Sequence, residues 1–300
     1  MIFSIPKALA LVASFSSAAS AAALPEPQRL VPLPGYSEIP QAWQARHGLT
    51  DATYQTAFTS SNNQGYTLKT VSGYTINDQP RFAAIWEKYS TRRDYVARHG
   101  LTDAAYQTAF NQYVNQGYRL RHVDGYAVGT AVRYAAIWDK TPFSGDWVAR
   151  HGLTDAAYQA AFTQYVDQGY RLVHVSGYTQ NNSPRFAAIF ERPTRPSSES
   201  WVARHGLTNA QYQQAFTQYV NQGYRLLTVS AYVVNNVDYY AAIWDTSAVG
   251  GWVARHGLTN SQYQQAFNEY VDQGYRLTHV AGYTLNKNQD RYAAIFVRDW

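Results

Sequence analysis

The order of apolar and polar residues changes period along the chain, and residues 95–138 show each change once. Tyr95, Val96 and Ala97 read as a short extended segment. From Thr102 the spacing becomes helical: Tyr106, Ala109, Phe110, Tyr113 and Val114 fall at i, i+3, i+4, i+7 and i+8, on one stripe of an α-helix. Thr102 supplies an N-cap oxygen, and Asp103 places negative charge at the positive end of the helix dipole. Gly117 can take the left-handed conformation that ends a helix. Tyr118 then opens an extended run to Val128, and a turn at Gly129 and Thr130 sends it back. In the returning strand Tyr134, Ala136 and Trp138 alternate onto one face. The predicted unit is strand, helix, strand, strand, with Tyr106, Phe110, Tyr118 and Trp138 as its expected core.

The unit recurs. Ala-Arg-His-Gly-Leu-Thr occurs unchanged five times, with His47, His99, His151, His205 and His256 separated by 52, 52, 54 and 51 residues. An aromatic stands two positions before each copy (Trp43, Tyr95, Trp147, Trp201 and Trp252), and Tyr-Gln, Ala-Phe, Gln-Gly-Tyr and Ala-Ala-Ile follow it. The chain is therefore read as an α+β protein of five tandem repeats of about 52 residues, at 41–90, 91–142, 143–196, 197–247 and 248–300, together forming one domain. A closed, five-fold pseudo-symmetric toroid or propeller-like array is favoured over an open solenoid, because closure leaves no sheet edge exposed and needs no special caps. Repeat 1 departs from the others. Ser61 and Asn62 stand where repeat 2 has Tyr113 and Val114, and Thr67 where it has Arg119, so its helix is expected to be short or frayed.

Residues 1–23 read as a secretory signal peptide: Lys7 precedes an apolar stretch from Ala8 that runs through Phe15 into the small residues Ser16 to Ala23. Residues 24–40 form a Pro-rich extended lead-in. The expectation is a secreted, extracellular protein with no membrane span, since no later stretch approaches the roughly 18 consecutive apolar residues a span requires. Hydrophobic residues make up 46% and charged ones 15%, which excludes disorder driven by charge. The absence of cysteine removes disulfides, thiolate nucleophiles and iron–sulfur clusters. A net charge of +5 spread through the repeats is no basis for a nucleic-acid partner. The 26 Tyr, 8 Trp and 12 Phe imply a framework packed by rings, many of whose hydroxyls need hydrogen-bond partners.

Two sets of residues invite a functional reading. The first is the recurring Arg-His pair: Arg46 and His47, Arg98 and His99, Arg150 and His151, Arg204 and His205, Arg255 and His256. Arg-His-Gly also occurs in a phosphatase superfamily, but five copies without a parallel βαβ series do not make that site. We read the pairs as bridges between neighbouring units, bonded to carbonyls or carboxylates. A ring of anion or glycan subsites and a central His-rich metal site are the alternatives; no metal or cofactor is assigned. The second set is at the hairpin tips: Asn77, Asp78, Asn181, Asn182, Asn235, Asn236, Asn286 and Asn288. Polar tips that differ between copies on a rigid repeat scaffold are where recognition usually sits, and merely solvated loops are the alternative. His122, His174 and His279, on the first hairpin strand of three repeats, are expected to be partly exposed. No Gly-x-Ser-x-Gly elbow, His-Glu-x-x-His helix or phosphate loop is present, and the one Ser-x-x-Lys, Ser4 to Lys7, falls in the signal segment. No catalytic residue is assigned.

The repeat resembles the bacterial tandem repeat domain and the amino-terminal half of fungal polyglycine hydrolases. The likeness rests on Trp147-Val-Ala-Arg-His-Gly-Leu-Thr154, Tyr158-Gln159, Ala161-Phe162, Gly169-Tyr170, Val175-Ser-Gly-Tyr178 and Arg185-Phe-Ala-Ala-Ile-Phe190, with their equivalents over residues 41–300. Those hydrolases are secreted proteases of glycine-rich linkers in plant chitinases, and their Ser-x-x-Lys nucleophile lies in a carboxy-terminal β-lactamase-like domain. No residue of the repeats matches that nucleophile, so the resemblance implies an accessory recognition role and not the protease activity. The expected function is an extracellular recognition module for a protein or cell-wall glycan. The alternatives are a hydrolase with an unrecognised site in the ring centre and a purely structural secreted protein.

Overall fold

The computed structural model describes residues 39–195 and 197–299, so the signal segment, almost all of the Pro-rich lead-in, residue 196 and residue 300 lie outside the described residues. Repeat 1 comprises an outer strand Ala42–Leu49, a helix Asp51–Asn63, an inner strand Thr67–Ile76 and a central strand Gln79–Lys88. The same order follows in repeat 2 (Tyr95–Leu101, Asp103–Asn115, Arg119–Val128, Ala131–Asp139) and repeat 3 (Gly145–Leu153, Asp155–Asp167, Arg171–Gln180, Ser183–Pro193). It recurs in repeat 4 (Trp201–Thr208, Asn209–Asn221, Arg225–Val234, Val237–Asp245) and repeat 5 (Gly251–Leu258, Asn260–Asp272, Arg276–Leu285, Gln289–Arg298). In every repeat the three strands form an antiparallel sheet in the order outer, central, inner.

Local sequence accounts for the helices. Thr102 Oγ1 accepts from Ala105 N at 3.2 Å, and Thr208 and Thr259 complete capping boxes with Gln211 and Gln262. Gly117, with φ +82°, follows the last turn. The helix of repeat 1 is neither short nor frayed; like the other four it has 13 residues. Ser61, in the place of a tyrosine, is 2% exposed. Its hydroxyl donates to the Ala57 carbonyl at 2.7 Å and accepts from Gln44 Nε2 at 2.8 Å, so hydrogen bonds fix the turn that ring packing fixes elsewhere.

Each central strand is buried on both faces. In repeat 2, Tyr134, Ala136 and Trp138 pack under Tyr106 of the same repeat, while Ala135 and Ile137 pack against Tyr54, Leu68 and Trp86 of repeat 1. Every hydrophobic core therefore lies between two neighbours. Tyr118, expected in the core, sits at its margin: its hydroxyl donates to Asp94 at 2.9 Å and Lys140 Nζ lies 4.4 Å from its ring. Repeat 5 meets repeat 1 in the same manner, with Tyr263, Leu277 and Phe296 packed against Tyr74, Ala83 and Ile85. The inner strands lie side by side in the order of the repeats, and that of repeat 5 lies against that of repeat 1.

Between inner strands the fit is close enough to dictate glycine. A Cβ on Gly73 would lie 2.4 Å from Tyr126 Cδ1, and one on Gly125 equally close to Tyr178. The backbone N–H of each such glycine finds a side-chain acceptor on the next repeat: Gly73 on Asp124 (2.6 Å), Gly125 on Ser176 (3.0 Å), Gly177 on Ser230 (2.8 Å) and Gly282 on Ser72 (3.0 Å). Repeat 4 has Ala231 at this position and repeat 5 has Ala281 in place of the acceptor. There the Tyr240 and Tyr283 rings stand 6.1 Å apart, against 5.7 Å for Tyr134 and Tyr178. The seam between repeats 4 and 5 is thus looser by one methyl group and one hydrogen bond.

Candidate functional site

Backbone geometry explains the asparagines at the hairpin tips. Asn77 and Asp78, Asn181 and Asn182, and Asn235 and Asn236 all have positive φ, as the central residues of two-residue type I′ turns must, and Asn tolerates that region better than most residues. The longer tip of repeat 5 has positive φ at Asn286 and Lys287, and repeat 2 turns at Gly129. The tips surround one end of the axis, where inner-strand residues of all five repeats line a cavity of about 600 Å³.

Asp78, Asn182, Asn235, Asn236 and Asn286 border this cavity, whereas Asn77, Asn181 and Asn288 are not part of its lining. Sequence reasoning missed Lys287 on the rim and the hydroxyls of Thr75, Thr179 and Thr284 within it. Their signal was the shared position after the recurring inner-strand tyrosine. The rim is braced across repeats. Asn286 N donates to Asn236 Oδ1 at 2.7 Å, Asn77 N to the Lys287 carbonyl at 2.6 Å, and Thr179 Oγ1 to the Val233 carbonyl at 2.6 Å. Repeat 2 contributes Gly125, Tyr126 and Ala127 to the wall and no tip residue, so the polar rim is interrupted there.

Below the cavity, Asp124 accepts from Gly73 N and from Ser176 Oγ (3.1 Å). Burial outweighs these two donors and pushes its carboxyl up to about 7. His122 and His174 lie beneath it and are buried, not partly exposed as expected; His279 occupies the same level in repeat 5. Each Nε2 lies 2.7–2.8 Å from the carbonyl oxygen of a valine in the preceding repeat: Val71, Val123 and Val229 respectively. Thr70 and Thr228 hold the equivalent places in repeats 1 and 4. At the far end of the axis Arg119 bonds Glu191, Arg171 bonds Asp245 at 3.0 Å and Arg276 bonds Glu87 at 2.7 Å, each across a seam.

The Arg-His pairs are placed away from the axis, at the bulged end of each outer strand. The register slips between Arg98 and Leu101, Gly100 takes φ +67°, and its freed N–H donates to Tyr126 Oη at 3.1 Å. The bulge turns the histidine toward the first helical residue of the preceding repeat. His99 meets Asp51 at 3.1 Å, His151 meets Asp103 at 3.2 Å, His205 meets Asp155 at 3.3 Å, His256 meets Asn209 at 2.9 Å, and His47 meets Asn260 at 2.8 Å. Burial lowers the pKa of these histidines, against the pull of the aspartates where present, and takes His256 to about 4. The arginines do not bridge. Arg98, Arg150, Arg204 and Arg255 each donate to the carbonyl of the preceding alanine, and each guanidinium lies over a tyrosine of its own repeat (Tyr113, Tyr165, Tyr219, Tyr270). Arg46 has Ser61 where that tyrosine would be.

Among the described residues no group of three or more His, Asp or Glu is arranged to hold a metal ion, and no helix is long and apolar enough to cross a membrane. The family model for the polyglycine hydrolase-like structural repeat matches the chain five times, at residues 40–89, 92–141, 144–193, 198–247 and 249–299. Bulged outer strand, capped helix and hairpin together make up the matched unit, and the chain belongs to the polyglycine hydrolase-like structural-repeat family.

Proposed function

We propose that the protein is a secreted recognition module that holds an extracellular protein or a cell-wall glycan at the hairpin-tip end of its axis. The observation that carries this reading is the convergence of all five repeats on one cavity of about 600 Å³, a volume suited to a small ligand or a chain end. Its wall combines the edges of buried tyrosines with threonine hydroxyls and asparagine amides, groups that bond polar ligands, and one carboxylate and one ammonium, Asp78 and Lys287, stand on its rim. Bracing between tips keeps these groups in place before a ligand arrives, which limits the ordering cost of binding.

The test is retention of the purified chain on insoluble chitin, β-glucan, cellulose and an immobilised chitin-binding plant chitinase, with hydrolysis products assayed in the same tubes. The variant combining Asp78→Gly, Asn182→Gly, Asn236→Gly and Asn286→Gly removes four of the six rim side chains while glycine keeps the positive φ. A ligand retained by the parent and lost by the variant at unchanged melting temperature supports the reading. A variant that keeps every ligand of the parent defeats it, and turnover by the repeats alone replaces it with a hydrolase.

A further inference from the structure

A groove of about 560 Å³ runs between the helix of repeat 2 and the outer strand of repeat 3, walled by Gln107, Phe110, Trp147, Arg150 and His151, and the residues that form it recur at the other junctions. Three features of its wall recur at all five junctions between repeats, and a fourth at four of them. The first is a half-buried aromatic edge. Trp147 meets Phe110 edge-on at 5.9 Å between ring centroids, and Trp201 with Phe162, Trp252 with Phe216, Trp43 with Phe267 and Tyr95 with Phe58 repeat the geometry at 5.7–6.3 Å.

The second is an oriented amide. Gln107 Nε2 donates to Asn111 Oδ1 at 2.8 Å, one helical turn on, and Gln55, Gln159, Gln213 and Gln264 are tethered in the same way to Thr59, Thr163, Thr217 and Asn268. The tether leaves a carbonyl oxygen and a second N–H for a ligand. Packing does not account for this recurrence: the next position, equally on the helix surface, is Thr56, Thr108, Ala160, Gln214 and Gln265 in turn.

The third is indifference to charge. The residue holding the histidine is Asp51, Asp103 or Asp155 in three grooves and Asn209 or Asn260 in two, so the acceptor oxygen is kept and the charge is not. The fourth is that the arginine does not stand as a free cation facing a ligand: its guanidinium bonds a main-chain carbonyl and lies over a tyrosine of its own repeat in four of the repeats. A half-buried aromatic ring, a tethered neutral amide and a charge-indifferent acceptor match the C–H face and hydroxyls of a sugar, not an anion.

We propose that these five grooves are equivalent subsites for a neutral glycan, spaced round the molecule so that a repeating polysaccharide is held at several points at once. This does not rest on the axial cavity, which offers one place per chain; the grooves offer several. The experiment titrates the full chain with cellohexaose and chitohexaose and follows tryptophan fluorescence and stoichiometry. Trp86, Trp138 and Trp244 are fully buried and supply a constant background, and with Trp300, which lies outside the described residues, replaced by Phe in every sample a change reports the groove indoles.

The expected result is saturable quenching with more than one oligosaccharide bound per chain. Two variants locate it: Trp147→Ala with Trp201→Ala and Trp252→Ala, and, on the exposed helix surface where folding is not at stake, Gln107→Ala with Gln159→Ala and Gln213→Ala. Each should weaken retention on the insoluble polymer by roughly tenfold or more, because avidity multiplies the loss at single subsites. The tip variant described above should leave the titration unchanged. The proposal is overturned by the absence of any fluorescence response at millimolar oligosaccharide, by glutamine variants that bind as the parent does, by competition from an anionic oligogalacturonate, or by loss of all binding in the tip variant alone.

Discussion

His122 Nε2 donates to the carbonyl oxygen of Val71 at 2.7 Å, across the seam between repeats 1 and 2. The His174 ring lies 4.4 Å from that of His122 between centroids, and no carboxylate offsets a charge on either ring. Burial first, and then the neighbouring histidines, hold His122 well below its usual value, and burial takes His174 and His279 down to about 4. A folded pKa below the unfolded one gives stability that is complete above about 6.5 and lost as pH falls toward 4, on the order of 3 kcal/mol for His174. The melting temperature should therefore drop steeply between pH 6.5 and 4. The variant His122→Thr, His174→Thr, His279→Thr, which copies Thr70 and Thr228, should flatten that drop; parallel curves for parent and variant would show that the axis does not set acid stability.

Asp124 acts in the opposite sense. Its carboxyl rises from 3.8 to about 7, so its contribution is complete below the lower value and is lost as pH climbs through 7. Asp124→Ser, the residue of repeats 1, 3 and 4, keeps an acceptor for Gly73 N and carries no charge. It should raise stability at pH 8 by on the order of 4 kcal/mol and change little at pH 4, as chemical denaturation at the two pH values would reveal.

Gly125→Ala would place a methyl group 2.4 Å from Tyr178 Cδ1. An overpacked seam of this kind costs about 1–3 kcal/mol. The natural counterexample is Ala231, whose partner ring has moved outward, and there the reverse change should help. Ala231→Gly with Ala281→Ser supplies both the space and the missing acceptor, and is expected to add about 1 kcal/mol. Equal stability of that double variant and its parent in urea would mean that the seam between repeats 4 and 5 has already relaxed.

Arg276 reaches from repeat 5 to Glu87 of repeat 1, a carboxylate only 1% exposed. Burial alone would raise the Glu87 pKa; Lys69, Tyr89 and Arg276 together hold it below the usual range. Arg276→Met should cost about 3 kcal/mol, as truncating one partner of a buried pair does, and should match Arg119→Met at the seam facing Glu191. Calorimetry of the two variants checks this. A harmless Arg276→Met beside a damaging Arg119→Met would mean that repeats 1 and 5 are apart in solution.

The elements were legible because their signals are local. Thr102, Gly117 and the stripe from Tyr106 to Val114 state the helix within a span of sixteen residues, and repetition states it five times. What could not be read were contacts made by one repeat's side chains to another repeat's backbone. The partner of His122 is a carbonyl, which has no sequence identity, so burial of the histidines was invisible. Ser61 looked like a helix breaker because its stabilising partners, Ala57 O and Gln44, are a backbone atom and a residue of the outer strand. Two of the eight tip residues owed their identity to backbone conformation alone: Asn77 and Asn181 answer the need for positive φ and do not face the cavity. The groove glutamines carried a readable signal, since Gln55, Gln107, Gln159, Gln213 and Gln264 are unvaried while the next position changes from copy to copy.

Cores shared between neighbours bear on how the chain reaches this structure. The bond from Gly125 N to Ser176 Oγ spans 51 residues, and the equivalent from Gly282 N to Ser72 Oγ spans 210. Loop entropy grows only with the logarithm of length, so the long connection costs about 1.3 kcal/mol more than the short one. Kinetically the two differ far more, because docking the chain's ends must wait until the repeats between them are in place. Until then repeat 1 and repeat 5 each present half a core to solvent, and two such chains at high concentration can satisfy each other as readily as themselves. Dilution during refolding should therefore govern the yield of monomer.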